Sequence, residues 1–136
     1  MIEELTTYLV DNGLLNKNQL GAIPQDLLSS GPDFELELIK KNLVKPADIL
    51  KAKSAVSEVP YLDLNSKTIE ASVLQEIPEN AALHYRLLPV EKKDNELVVG
   101  MVDPTDVEAS EALKFIALKG NFIPKIHVIL QSDFTS

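Results

Sequence analysis

The sequence has no cysteine, which excludes disulfide staples and a thiolate metal site. It has no apolar run near the roughly eighteen residues that a membrane-spanning helix needs. Its first ten residues, MIEELTTYLV, are acidic and lack the basic start of a signal peptide. The chain is therefore expected to stay soluble in the compartment where it is made. Basic charge is also scarce, with 13 Lys and Arg against 21 Asp and Glu, a formal net charge of −8. That balance argues against a nucleic-acid partner, because phosphate binding needs a basic footprint. It argues equally against docking on anionic lipid.

Catalytic signatures are missing as well. No GxxxxGK[ST] loop occurs, and the five glycines fall at turns, helix ends or one strand position. Without a run of backbone amides around a triphosphate, the chain is not expected to hydrolyse ATP. His84 and His127 are far apart and show no metal-ligand spacing. His84 is expected to end a helix and His127 to lie in a strand. No serine has a histidine and an acid arranged around it for nucleophilic hydrolysis.

What the chain does contain is a change of period. The 136 residues suit one domain or two small subdomains sharing a core. The first half repeats apolar residues at helical spacing: Leu5, Leu9 and Val10, then Leu20 and Ile23, then Phe34, Leu38 and Ile39, then Ile49, Leu50, Ala52 and Val56. Gly13 is placed to end the first helix and Asn16 to cap the second. Pro24 should break that second helix, with Leu27 and Leu28 continuing in a short piece. Ser29 to Pro32 reads as a turn, Asp33 as a cap, and Pro46 as a first helical residue after Lys45.

The second half predicts short helices over 70–76 and 78–84. Strands over 87–91 and 96–102 flank a four-residue loop, Lys92 to Asn95. Asp103 is expected to cap a helix with Pro104 at its first position and Asp106 at its third. That helix should bury Ala109, Ala112, Leu113 and Ile116 and end at Gly120, before a final strand over 125–130. Ser132-Asp133-Phe134 reads as the cap of a further helix. The fold class is α+β: a small helical bundle over residues 1–58, then an α/β sandwich with a short sheet over residues 59–134.

Two patterns invite a functional reading. LVDNGLLNKNQL, Leu9 to Leu20, aligns with LIKKNLVKPADI, Leu38 to Ile49, at an offset of 29. It is either a pair of packed helical hairpins or a duplicated ligand-binding motif. Asp103, Asp106, Glu108 and Glu111 form an acidic cluster. They either complement a helix amino terminus or, through Asp106, Glu108 and Glu111, form a docking patch for a basic partner.

The order of short motifs in the second half carries a resemblance. VPYLDL (Val59 to Leu64), IPE (Ile77 to Glu79), YRLLPV (Tyr85 to Val90) and MVDPTD (Met101 to Asp106) are similar to the (L/V)PYVDL, IPE, YRVLPL and MADPTD segments of one family. Over roughly eighty residues they resemble the amino-terminal domain of the ATPases that drive type II secretion and type IV pilus assembly. The resemblance implies a non-catalytic regulatory or docking domain. It would couple a motor to the cytoplasmic domain of an inner-membrane platform protein, leaving the protein cytoplasmic and peripheral to the membrane through that partner. ATP and magnesium would belong only to the parent's motor. The parent would be hexameric and the isolated domain monomeric.

Some members of that family bind cyclic di-GMP through paired RLGxxLVxxGL-type motifs, and the repeat sits where those motifs sit. Glu4 stands in place of the arginine, Thr6 and Glu35 in place of early glycines, and Asn42 in place of a late glycine. Gly13, Leu5, Leu9 and Leu38 remain, with Phe34 at an apolar site. These departures remove the guanine-pairing cation and the close backbone approach, so no bound cofactor is expected. A cyclic di-GMP sensor is the alternative reading. A repressor-like DNA-binding protein is a third and poor one, for want of a basic recognition helix.

Overall fold

The computed structural model describes residues 2–21, 31–64 and 68–135. The expectations for Ile23, Pro24, Leu27, Leu28, Ser29 and Ser30 lie outside the described residues. The architecture is α+β, as the change of period implies. Helices α1 (Ile2–Asp11), α2 (Lys17–Gly21), α3 (Gly31–Lys40) and α4 (Pro46–Ser57) precede α5 (Ala71–Leu74) and α6 (Glu79–Tyr85). Strands β1 (Leu87–Lys93) and β2 (Glu96–Met101), helix α7 (Val107–Gly120), strand β3 (Ile123–Val128) and helix α8 (Gln131–Thr135) follow.

The sequence repeat is a repeat of backbone geometry. At the end of α1, the amide of Leu14 donates to Leu9 O at 2.9 Å and that of Gly13 to Val10 O at 3.1 Å. At the end of α3, Leu43 donates to Leu38 O and Asn42 to Ile39 O, each at 3.0 Å. Both are Schellman turns, and their left-handed residues are Gly13 (φ 72) and Asn42 (φ 56). Asparagine tolerates that conformation better than other side-chain-bearing residues, so the loss of glycine at 42 leaves the turn intact. Asn16 and Gln19 form a reciprocal capping box, with Gln19 N to Asn16 Oδ1 at 2.7 Å and Asn16 N to Gln19 Oε1 at 2.9 Å.

The sheet order is β1-β2-β3, with β1 antiparallel and β3 parallel to β2. Pro89 cannot donate to a ladder and sits on edge strand β1, next to a bulge that skips Val90. One apolar cluster joins Leu5, Leu9, Phe34, Leu38, Ile49 and Leu50 to Val128 and Leu130 from the end of β3. A second packs Leu97, Val99 and Met101 of the sheet against Ala109, Leu113 and Ala117 of α7.

Several sequence expectations need correction. The β1–β2 loop is Asp94-Asn95 only, because pairing continues through Lys92↔Leu97 and Lys93↔Glu96. Asp33 is the third residue of α3 and not its N-cap, since the helix begins at Gly31. Asp103 does not cap α7: its carboxylate accepts from Thr105 N at 3.0 Å in a local turn, and Asp106 takes the cap by accepting from Ala109 N at 3.3 Å. Gly120 is the last helical residue, and Asn121 (φ 57) is the left-handed one. Gly120 is needed for space instead, since a Cβ there would meet the Phe122 ring at 2.9 Å. The final strand runs over 123–128, two residues earlier than expected, and the first short helix of the second half covers only 71–74.

Candidate functional site

The most constrained polar site lies where the helical half meets the end of β3. Glu35 of α3 and Lys53 of α4 are 3% and 1% exposed and pair at 2.8 Å. Lys53 Nζ also donates to Ile129 O at 2.7 Å, and Glu35 Oε1 accepts from Gln131 N at 3.0 Å. Two side chains thus bind two backbone groups that β3 and α8 leave unused. The signal was present in the sequence: Lys53 follows Ile49, Leu50 and Ala52 on one stripe, and Glu35 follows Phe34. An acid and a base on buried stripes call for each other, but no local spacing links residues this far apart.

Burial pushes the Glu35 carboxyl above its ordinary value, with the Lys53 charge and hydrogen bond and the Gln131 amide opposing it. Burial likewise pushes Lys53 down, with Glu35 opposing. Asp133, at the foot of α8, is raised by partial burial and by the neighbouring charge of Asp63. A carboxyl raised in the folded state contributes stability that is full below its unfolded pKa and lost as pH rises through its folded value. For Glu35 and Asp133 that loss starts near the ordinary carboxylate range and runs upward, whereas for Lys53, whose value is lowered, stability is lost as pH falls from the ordinary lysine range. Protonation also relieves the −8 self-repulsion. The melting temperature is therefore expected to rise as pH falls from about 7.5 to about 5.5. A steady fall over that range, read by circular dichroism, would contradict the assignment.

The nucleotide-motif positions are brought together, but as core. Leu5, Leu9, Phe34 and Leu38 are all at most 3% exposed and pack on one another. Glu35 is occupied by Lys53. Thr6 is half-buried and Glu4 is exposed on α1. The open cleft along α1 is lined by Glu3, Glu4 and Asp11, and none of the described residues lining it is basic.

The acidic trio is placed differently. Asp106, Glu108 and Glu111 are all exposed at the start of α7. The same outward side carries Val107, Phe115 and Leu118, which are 67%, 60% and 81% exposed. Lys119 Nζ lies 4.8 Å from the Phe115 ring centre. The buried side holds Ala109, Leu113 and Ala117. The outer face of α7 therefore mixes exposed apolar and acidic side chains with Lys114 and Lys119.

The histidines have local explanations. His84 packs edge-on against Tyr85, centroids 4.6 Å apart, and His127 Nδ1 lies 3.4 Å from Lys125 O. Among the described residues no group of three or more metal-ligating side chains gathers, and no helix is long and apolar enough to cross a membrane.

Comparison with known proteins bears on the family and the fold. The chain is 24% identical over 116 residues to the type IV pilus assembly ATPase PilB of Myxococcus xanthus (strain DK1622), covering 85% of this chain and 20% of PilB. It is 24% identical over 112 residues to the bacteriophage adsorption protein B of Escherichia coli (strain K12), covering 82% of this chain and 15% of that protein. The chain thus spans a fifth or less of the length of these relatives. The fold matches a structure of MshE with cdg (TM-score 0.68, 21% identity, 96% of this chain and 93% of that one). It also matches the amino-terminal domain of XpsE (TM-score 0.65, 21% identity, 98% and 90%). Residues 57–136, more than half of the chain, match the family model of the MshEN domain. The chain therefore belongs to the MshEN domain family, in keeping with its resemblance to the amino-terminal domains of secretion and pilus-assembly ATPases.

Proposed function

We propose that this domain docks a secretion or pilus-assembly motor onto the cytoplasmic domain of an inner-membrane platform protein. In this reading residues 1–58 are a helical support and residues 59–134 carry the docking face. The observation that carries it is the outer face of α7, where Asp106, Glu108 and Glu111 border Val107, Phe115 and Leu118. Apolar contacts would supply most of the affinity, while the acids steer a basic partner and fix its register. The parent would be a hexamer held at the membrane through that partner, and the isolated domain a monomer. The test is partner capture from a cytosol-plus-membrane extract by wild type and by Glu108→Lys with Glu111→Lys. Capture should weaken markedly in the variant, and in the wild type between about 50 mM and about 500 mM salt. If a normally folded variant captures the same partner equally well, α7 is not the docking face.

Cyclic di-GMP sensing is the second reading. It is favoured by the likeness to MshE with cdg and by the preserved turns at Gly13 and Asn42. Against it stand Glu4 at the arginine position, the buried leucines, and a Glu35 carboxylate committed to Lys53. We take the scaffold to be kept and the ligand site lost.

A further inference from the structure

We infer that helix α7 pairs antiparallel with α7 of a second copy of this chain. Val107, Glu111, Lys114 and Leu118 recur at spacings of four, three and four, so they form one outward stripe along the helix. All four are exposed, Val107 by 67% and Leu118 by 81%. The buried side holds Ala109, Leu113 and Ala117 instead. Among the described residues, neither Glu111 nor Lys114 has an ion-pair partner within the chain. From its amino-terminal end the stripe therefore reads apolar, acid, base, apolar.

That order is complementary to itself when one copy is reversed. Two α7 helices laid antiparallel set Val107 against Leu118 of the second copy and Glu111 against its Lys114, and the twofold axis repeats both contacts. On the adjoining flank, Glu108 falls beside Lys119 of the second copy. A parallel pair would set Glu111 on Glu111 and Lys114 on Lys114, which like charge opposes. Opposed helix dipoles favour the same antiparallel choice. One helix against one helix buries less than the roughly 1,200 Å² of a stable interface. The dilute domain is therefore a monomer, and pairs form with a dissociation constant on the order of 1 mM. Where an assembly holds two copies close together, effective concentrations reach about that value. The pair then covers Glu108, Glu111 and Leu118, so self-pairing and the docking of another protein on α7 exclude each other. Self-pairing rests on α7 alone and does not require the docking reading, whose own test is partner capture.

NMR spectra of the whole chain over a dilution series from about 2 mM to about 50 µM at low salt test this. In the wild type, amide shifts within 107–119 should move with concentration while those of α1 stay fixed. Glu111→Lys and Lys114→Glu each set like charges across the pair and should abolish the movement. Both sites are exposed, so the variants should fold. An equimolar mixture of the two variants restores both opposite-charge contacts, and so does one chain carrying both changes. At the same total concentration, each should regain the movement that neither single variant shows. The inference is overturned if the wild-type shifts at 107–119 do not change over the series. It is overturned equally if either single variant pairs as the wild type does, or if the mixture gives only the sum of its parts.

Discussion

Glu35→Ala is expected to destabilise the domain by about 3–5 kcal/mol. The substitution leaves the Lys53 ammonium 1% exposed with only Ile129 O as its partner, and removes the acceptor of Gln131 N. Lys53 can lose its proton, which burial already favours, and that caps the penalty. Lys53→Met should cost a similar amount, because Glu35 then keeps only the Gln131 amide. Glu35→Gln should cost nearly as much, because Lys53 and the Gln131 amide bind different carboxylate oxygens and an amide keeps an acceptor for only one of them while turning its NH2 toward the other. Replacing both residues by Leu and Met removes the charges and recovers part of the loss. It also strands one backbone donor and one acceptor, at about 1–3 kcal/mol each. Urea denaturation of the four variants gives these values, and a melting-temperature drop of roughly 10 °C should accompany the single changes to Ala or Met. A loss under about 1 kcal/mol for Glu35→Ala would mean the pair is solvated and holds nothing.

Gly100→Val should be the next most damaging change, at about 3 kcal/mol. A Cβ at position 100 would lie 2.7 Å from Ile129 Cγ2 and 3.0 Å from its Cδ1. Ile129 is the residue least able to give way. Its amide is bonded to Met101 O, its carbonyl to Lys53, and its side chain is fully buried. Gly100→Ala already brings the first of these clashes, and valine adds two methyls to it. Chemical denaturation is the readout, and a valine variant within about 0.5 kcal/mol of wild type would show that the chain at Ile129 is looser than its bonding implies.

Local signals in the sequence were easy to read, and they placed most elements. The offset of 29 between the two LV-type segments reports two turns with the same pair of backbone hydrogen bonds. Asn16 capping α2 and Pro46 opening α4 follow from side chains acting within one turn. Failures came where two local solutions compete. Asp103 and Asp106 can each cap a helix, and the turn Asp103 makes with Thr105 decides for the later start. Gly120 and Asn121 can each end one, and the closeness of the Phe122 ring to Gly120 shows why the glycine is needed elsewhere. Strand ends were misplaced because register with β2 sets them, leaving Ile129 and Leu130 outside the sheet.

The candidate site was less legible. From sequence, Glu35 is a missing glycine in a nucleotide motif. In the fold it is half of a buried ion pair, whose other half lies on the next helix. The acidic trio was visible, and so was most of the buried stripe, Ala109, Leu113 and Ile116, but not that Phe115 and Leu118 stand exposed beside the acids. The packing on the sheet adds Ala117 to that stripe and leaves Ala112 only half-buried.

The choice between a docking domain and a nucleotide sensor rests on whether the helical half still accepts its relatives' ligand chemistry. Titration calorimetry of the purified chain with cyclic di-GMP measures that directly. The acidic cleft along α1, the buried leucines and the committed Glu35 predict no saturable heat at a dissociation constant below about 1 µM, equivalent to about −8 kcal/mol. A stoichiometric isotherm with a tighter constant would contradict the account and make the chain a sensor.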